Sequence, residues 1–288
     1  MPVIATNTAA NSALRYLNLN TAEQTNALDR IASGSKVTKA SDDAAGLAVA
    51  TKLQNDVAVL DQAQTNASHA SAVLETADGG MAQIGDILER MKVLSAQSLS
   101  GAVTDTEREY IDAEYQQLIL EIDAIAQGTR FNGESLLDDT GQHGATATGA
   151  KYLVGTDAAN DTITVEIANL TSDALGFAGD AAATPVVPAS TVDTAANAET
   201  ASALIDTAID TVAAARADVG AMMSRFEYHG QQLATSEENL DAAQSAIADA
   251  DIAEEQANFS SAEVKTNAAI SAMAQANEMP QALLQLLR

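Results

Sequence analysis

Taken in steps of seven from Ile205, the chain reads Ile205, Val212, Val219, Phe226, Leu233, Leu240 and Ile247, all apolar. Three residues after each come Ala208, Ala215, Met222, His229, Ser236, Ala243 and Ala250, most of them small. No proline interrupts 205–250. A sustained seven-residue repeat predicts a long helix that lays one narrow seam against partner helices. At a rise of about 1.5 Å per residue it is roughly 70 Å long. Burying each large seam residue is worth roughly 1.5–3 kcal/mol, so seven left in water forfeit on the order of 10–20 kcal/mol. The rest of the chain must supply the partner.

It does so in three segments. Residues 3–33 read as a helix with Leu14, Leu17, Leu28 and Ile31 on one heptad face, Thr21 and Gln24 filling the same stripe, and Gly34 as the stop. A polar, basic connector follows over 34–40. Ser41 then reads as an N-cap, with Asp42 and Asp43 where a helix dipole favours acids. The second helix runs to about residue 99, its sevens being Leu53, Leu60, Ala67, Leu74, Met81 and Leu88. Gly79-Gly80 interrupts it in composition but not in phase, which predicts one continuous helix. Thr104-Asp105-Thr106-Glu107 is a capping box opening a third helix, with Ile111, Leu118, Ile122 and Ile125 on one side and Gly128 at its end.

Residues 130–176 change character. Polar, turn-rich text surrounds short runs at Tyr152–Val154 and at Thr162–Ile167, the second alternating as a strand does. This predicts a small β-hairpin within 150–176. Residues 177–200 have almost no large apolar group and read as an exposed loop. After the long helix the chain stays helical through Phe259, Val264, Ile270 and Met273, reaches Pro280, and closes on Leu283, Leu284, Leu286 and Leu287. The fold class that results is mainly α: a long, coiled-coil-like helical hairpin bundle pairing the N- and C-terminal halves, with a small β-hairpin in the middle.

Composition sharpens this picture. Aromatics are 3% of residues against 47% hydrophobic overall, and Trp is absent, which suits thin helix seams more than a thick core. With no cysteine there is neither a disulfide framework nor a zinc-thiolate site. Fourteen basic residues against forty acidic ones leave a formal charge of −26, the wrong sign for a nucleic-acid partner. Yet 1–40 holds four bases (Arg15, Arg30, Lys36, Lys39) and two acids (Glu23, Asp29), so one end is spared the acidity and suits a covered surface. No run of 18 apolar residues exists to insert in a membrane, and Met1–Ala5 lacks a secretory signal.

Candidate chemistry is thin. His69, His143 and His229 lack metal-ligand spacing, and His229 reads as a polar packing residue of the seam. No HExxH, P-loop or GxSxG string is present. Asp42 and Asp43, adjacent on a helix, point about 100° apart and read as caps rather than a catalytic pair. Arg90 and Lys92 read as a solvated face, and Met222-Met223 as core filling. Neither an enzyme nor a cofactor is indicated. Two weakly amphipathic ends, each too poor to fold alone, point instead to self-assembly.

The remaining strings carry a resemblance. Arg30-Ile31-Ala32-Ser33-Gly34 and Ser41-Asp42-Asp43-Ala44-Ala45-Gly46-Leu47-Ala48 resemble the N-terminal signature of bacterial flagellins. So do Thr129-Arg130-Phe131-Asn132-Gly133 with Leu136-Leu137, Glu238-Asn239-Leu240, Ser245–Asp251, and the terminal Ala274-Gln275-Ala276-Asn277, Pro280-Gln281 and Leu283-Leu284. The resemblance covers about 1–176 and 201–288, and implies an extracellular filament subunit for swimming motility. It implies inner filament-core helices at 1–40 and 251–288, a rod domain at 41–176 and 201–250, and a short outer loop at 177–200 in place of large outer domains. Assembly would use Leu14, Leu17, Leu28, Ile31, Ile270, Met273, Leu283, Leu284, Leu286 and Leu287. The rod seam would be Leu53, Leu60, Leu74 and Leu88 against Val212, Val219, Phe226, Leu233, Leu240 and Ile247. Implied partners are other copies of the chain, the flagellar type III export apparatus, an export chaperone and a filament cap. The vertebrate innate flagellin receptor is a further implied partner, matched at Arg90, Leu94 and Glu114, with Val93 departing from the acidic residue of the receptor-binding type. The alternative within the same resemblance is a hook–filament junction protein.

The charge generates a first expectation. Stacking chains of net charge −26 is opposed by repulsion that salt screens over about 10 Å at 0.1 M. Sedimentation of assembled protein is therefore expected to show release of subunits when about 0.1 M salt is dialysed to millimolar levels, and an unchanged pellet would contradict it.

Overall fold

The computed structural model describes residues 7–144, 149–177 and 190–286, except the side chains of 280–286. The elements are α1 (Thr8–Ser33), α2 (Ala44–Ser98), α3 (Asp105–Gly128), β1 (Arg130–Phe131), β2 (Glu134–Ser135), β3 (Ala150–Leu153), β4 (Thr162–Val165), α4 (Ala195–Ala248) and α5 (Ile252–Leu286). They divide into two compact units, one of residues 1–57 and 238–288, the other of residues 58–237.

In the first unit α1 and α5 run antiparallel. Asn7 Nδ2 donates to the Ala276 carbonyl (2.7 Å), Lys265 lies 3.8 Å from Glu23, and Arg30 lies 3.0 Å from Glu255. Gly34 ends α1 in the left-handed conformation (φ 70°), its N–H returning to the Arg30 carbonyl. Ser41 is not the cap of α2: Asp43 is, its Oδ1 accepting from the N–H groups of Ala45 (3.0 Å) and Gly46 (2.9 Å). Asp42 is drawn off into the preceding turn, accepting from Thr38 and the Lys39 N–H, bonds that hold its carboxyl below the usual range against the opposing pull of desolvation.

The second unit is built on α2, α3 and α4. Helix α2 passes through Gly79-Gly80 without a break. Leu60, Leu74, Leu88, Val212, Val219, Phe226 and Leu233 are all buried, whereas Leu53, Leu240 and Ile247, in the first unit, are half-buried. On α3 the buried set is Ile111, Tyr115, Ile119, Ile122 and Ala126, so the core face is turned from the predicted one and Leu118 and Ile125 sit at its edge. Tyr115 explains the turn. Its ring is fully buried and its hydroxyl lies 2.8 Å from Ser190 Oγ, burial pushing the phenol up to about 12. The capping box forms, Glu107 Oε2 accepting from the Thr104 N–H (2.7 Å) and hydroxyl (2.8 Å).

The middle of the chain holds more structure than one hairpin. β3 and β4 pair antiparallel, Tyr152 opposite Ile163, and the predicted alternation buries Ile163, Val165 and Ile167. A second hairpin, β1–β2, turns on Asn132 (φ 51°) and Gly133 (φ 86°), the left-handed pair that an Asn-Gly turn requires. Leu136, Leu137, Leu170, Leu175 and Phe177 bury themselves as a packed layer, tied to α3 where Asp123 accepts from the N–H (2.8 Å) and hydroxyl (2.7 Å) of Ser172. The expected exposed loop at 177–200 is corrected at both ends. Residues 178–189 lie outside the described residues, but Ser190 and Val192 are buried and α4 begins at Ala195. The Ser190 N–H donates to the Phe177 carbonyl (3.1 Å), so the chain leaves and returns at one point.

Gly80 is read differently once this layer is seen. A Cβ there would collide with Thr129 Oγ1 and come within 2.9 Å of Leu137 Cδ1, whereas Gly79 faces open space. Gly80→Ala is therefore expected to destabilise the chain by about 1–3 kcal/mol through overpacking. Gly79→Ala is expected to stabilise it by up to about 1 kcal/mol through helix propensity. Urea unfolding of the two variants checks the opposite signs.

Candidate assembly surface

The seam between α1 and α5 is small and polar. On α1 it is Ala10, Ala13, Leu17, Asn20, Gln24, Ala27 and Ile31, of which only Ala27 is fully buried. On α5 it is Glu255, Phe259, Ala262, Thr266, Ala269, Met273 and Ala276, a heptad stripe whose buried members are Glu255 and three alanines. Glu255 tolerates burial because Arg30 Nη1 donates to it at 3.0 Å. Asp251 caps α5, its Oδ1 accepting from the N–H groups of Ala253 and Glu254.

This corrects the expected single face. Leu17 and Ile31 line the intramolecular seam, as does Met273 on α5, whereas Leu14 and Leu28 point away from it and are about half exposed. Ile270 is likewise exposed, together with Tyr16, Leu19, Val264 and Met279, which the heptad reading passed over. The side chains of Leu283, Leu284, Leu286 and Leu287 lie outside the described ones. Large apolar residues left exposed around a two-helix pair, while alanines make up most of its fully buried positions, are the reverse of what a self-sufficient hairpin displays.

The connectors on the two sides of the unit are joined by backbone. The Lys36 N–H donates to the Ala248 carbonyl (2.6 Å) and the Ala250 N–H to the Gly34 carbonyl (2.9 Å), with Ser35 bridging Asp249. The polar, basic stretch after α1 is thus a pairing segment rather than a free linker.

In the second unit, Arg90 is exposed, as a solvated face expects, and Lys92 is half-buried, but both are paired. Arg90 holds Glu114 of α3, Nε to Oε1 at 2.9 Å, and Lys92 donates to Asp206 Oδ2 (2.6 Å) and Ser202 Oγ (2.8 Å) on α4. Arg216 pairs with Asp78 at 2.8 Å, and buried Ser95 and Ser98 donate to the carbonyls of Ala198 and Val192. Of the three residues matched to receptor contact, Arg90 and Glu114 are exposed and joined to each other, but Leu94 is in the core, where its helical phase puts it. Val93 occupies the exposed place beside it. His229 is half-buried on α4 and His69 is exposed, while His143 is buried at the middle layer. Among the described residues no cluster of His, Cys, Asp and Glu could hold a metal ion, and no helix is long and apolar enough to cross a membrane.

Comparison with known proteins agrees with this arrangement. The bacterial flagellin N-terminal helical region matches residues 4–142, and the bacterial flagellin C-terminal helical region matches residues 202–287. A flagellin of Halalkalibacterium halodurans is 32% identical over 286 residues, covering 99% of this chain and 100% of its own. A flagellin of Bacillus subtilis is 35% identical over 301 residues, covering 98% of both chains. The flagellar filament 30.7 kDa core protein of Treponema maltophilum is 33% identical over 287 residues, covering 99% of both. With helical regions matched at both ends and relatives aligned over nearly their whole lengths, the chain belongs to the bacterial flagellin family.

Proposed function

We propose that this chain is the structural subunit of a bacterial flagellar filament, polymerising with copies of itself outside the cell, and that it is not an enzyme. The observation that carries the reading is the set of large apolar residues left exposed on the α1–α5 pair. A helix pair that spends its alanines on itself and shows Leu14, Leu28 and Ile270 to water gains its missing burial when many copies bundle. Leu17, Ile31 and Met273 then hold the pair together while the exposed residues meet neighbours, and Leu283, Leu284, Leu286 and Leu287 extend the same apolar character by sequence. In this reading 1–40 and 251–288 line the inside of the filament, and 41–176 and 201–250 form the rod around it, with Phe177 and Ser190 marking where the chain leaves and re-enters that rod.

The relative from Treponema maltophilum, described as a filament core protein, supports the filament role over the hook–filament junction alternative. Export through the flagellar type III apparatus, with a chaperone and a filament cap as partners, follows the family and suits a cysteine-free chain that passes unfolded. The innate flagellin receptor, if it engages this chain, meets Arg90 and Glu114 and not the buried Leu94.

Two experiments test the assembly role. Chains lacking 1–35 or 255–288 are expected to stay soluble and monomeric when seeded, and filaments from either in electron micrographs would overturn the reading. Leu14→Ser, Leu28→Ser and Ile270→Ser are each expected to raise the critical concentration for polymerisation by roughly tenfold or more, since each buried aliphatic is worth about 1.5–3 kcal/mol. Their monomer circular dichroism is expected to stay unchanged.

A further inference from the structure

His143 lies in the segment between β2 and β3 and is only 8% exposed. Its Nε2 is 2.9 Å from the Tyr152 hydroxyl of β3. Its Nδ1 is buried with no hydrogen-bond partner among the described residues. The His143 carbonyl accepts from the Ile167 N–H at 2.8 Å, and Gly144 bridges Ile167 beside it. Tyr152 in turn sets its ring edge-on against Phe226 of α4, centroids 6.0 Å apart. His143 therefore ties the 136–144 segment to the β3–β4 hairpin through its ring and its carbonyl, and Tyr152 carries the contact on to α4.

This arrangement accepts a neutral ring and penalises a charged one. With the proton on Nε2, the ring donates to the Tyr152 oxygen and leaves only a lone pair at Nδ1. A second proton turns Nδ1 into a buried donor with nothing to receive it, on a cation removed from water. The groups that face the ring are few. Glu134 of β2 attracts the cation, and Tyr152, whose far side meets the uncharged ring of Phe226 on α4, stays neutral because burial raises its own pKa. The Asp139 carboxylate lies beside Gly144 and is engaged in an interaction of its own. Desolvation outweighs the pull of Glu134, so the His143 pKa is held below its ordinary value near 6.5.

We propose that His143 is a proton-operated latch: while neutral it fastens the 136–144 segment and the β3–β4 hairpin to α4, and on protonation it lets them go. An open latch takes up the proton more readily than a closed one. The closed form is therefore fully favoured above about pH 6.5, loses ground as pH falls through that value, and levels off below the depressed pKa of the closed state. The release is local. The α2–α4 ties through Lys92 and Arg216 contain no histidine and hold throughout.

Amide hydrogen exchange on the full-length soluble chain tests it, with rates corrected for the intrinsic effect of pH. Between about pH 8 and pH 5, the Ile167 amide and those of β3 and β4 are expected to exchange roughly threefold to tenfold faster relative to mid-α4 amides, each unit of pKa displacement being worth a factor of ten. His143→Gln leaves Tyr152 a side-chain partner but takes up no proton, so its hairpin rates are expected to stay flat with pH whatever their absolute level. His69→Gln, at an exposed position, is expected to behave as the parent. In the imidazole carbon NMR titration of the parent, His143 is expected to titrate below the ordinary imidazole value near 6.5. A hairpin whose corrected exchange ignores pH, one that keeps its pH dependence in His143→Gln, or a His143 that titrates at or above about 6.5 overturns the proposal.

Discussion

An alanine seam lets two helices approach closely while burying little, and this chain depends on such seams between segments more than a hundred residues apart. Where larger residues alternate with the alanines, as with Leu74, Met81 and Leu88 on α2 and Val212, Val219 and Phe226 on α4, the helices bury a continuous core. Where they do not, as between α1 and α5, only Ala27, Ala262, Ala269, Ala276 and the paired Glu255 are covered. The same heptad rule thus produces a self-sufficient unit and one that remains short of burial. That shortage is the basis of the proposed assembly role: burial that the ends do not gain within one chain is gained among copies.

Polar ties fix register where alanines cannot. Small residues fit each other in several alignments, so a seam built from them specifies its own register weakly. The chain compensates with charged and hydroxyl contacts at set positions. Arg30 meets Glu255, Arg216 meets Asp78, Lys92 reaches Asp206 and Ser202, and the hydroxyls of Ser95 and Ser98 find carbonyls across the interface. Exposed pairs of this kind contribute little stability, on the order of 0–1 kcal/mol each. A one-turn slip, however, would leave buried Ser95, Ser98 and Glu255 without partners, and such orphaned groups cost more than the pairs contribute.

The middle layer joins the helices through side chains rather than through periodicity. Its apolar residues are few, and each is placed by a loop: Leu136 and Leu137 after the Asn132-Gly133 turn, and Leu170, Leu175 and Phe177 after β4. Gly80 is the matching concession on α2, a helix-interior glycine kept open for Thr129 and Leu137. Asp123, Tyr115 and Gln116 on α3 reach out to Ser172 and Ser190, which positions the points where the chain leaves and re-enters the layer. His143 belongs to this layer, buried among its loops with Tyr152 as its side-chain partner.

The sequence alone determined the helices and their partners, because heptad spacing, Gly34, the Thr104–Glu107 box and the strand alternation at Thr162–Ile167 are local signals. It also determined the family, since the flagellin strings lie at both ends in order. The Asn132-Gly133 hairpin was equally legible, but its two-residue strands are too short to stand out from turn-rich text. What only the tertiary structure decided is which of several apolar stripes faces inward. On α1 the sequence put Leu14, Leu17, Leu28 and Ile31 on one face, yet only Leu17 and Ile31 line the seam, with Ala10, Ala13 and Ala27, in the register where Arg30 meets Glu255. On α3, Tyr115 turned the core face, because its hydroxyl needed Ser190, a residue that the sequence placed in an exposed loop. A helix offers several faces to pattern recognition, and the choice among them is made by a partner whose position no local signal encodes.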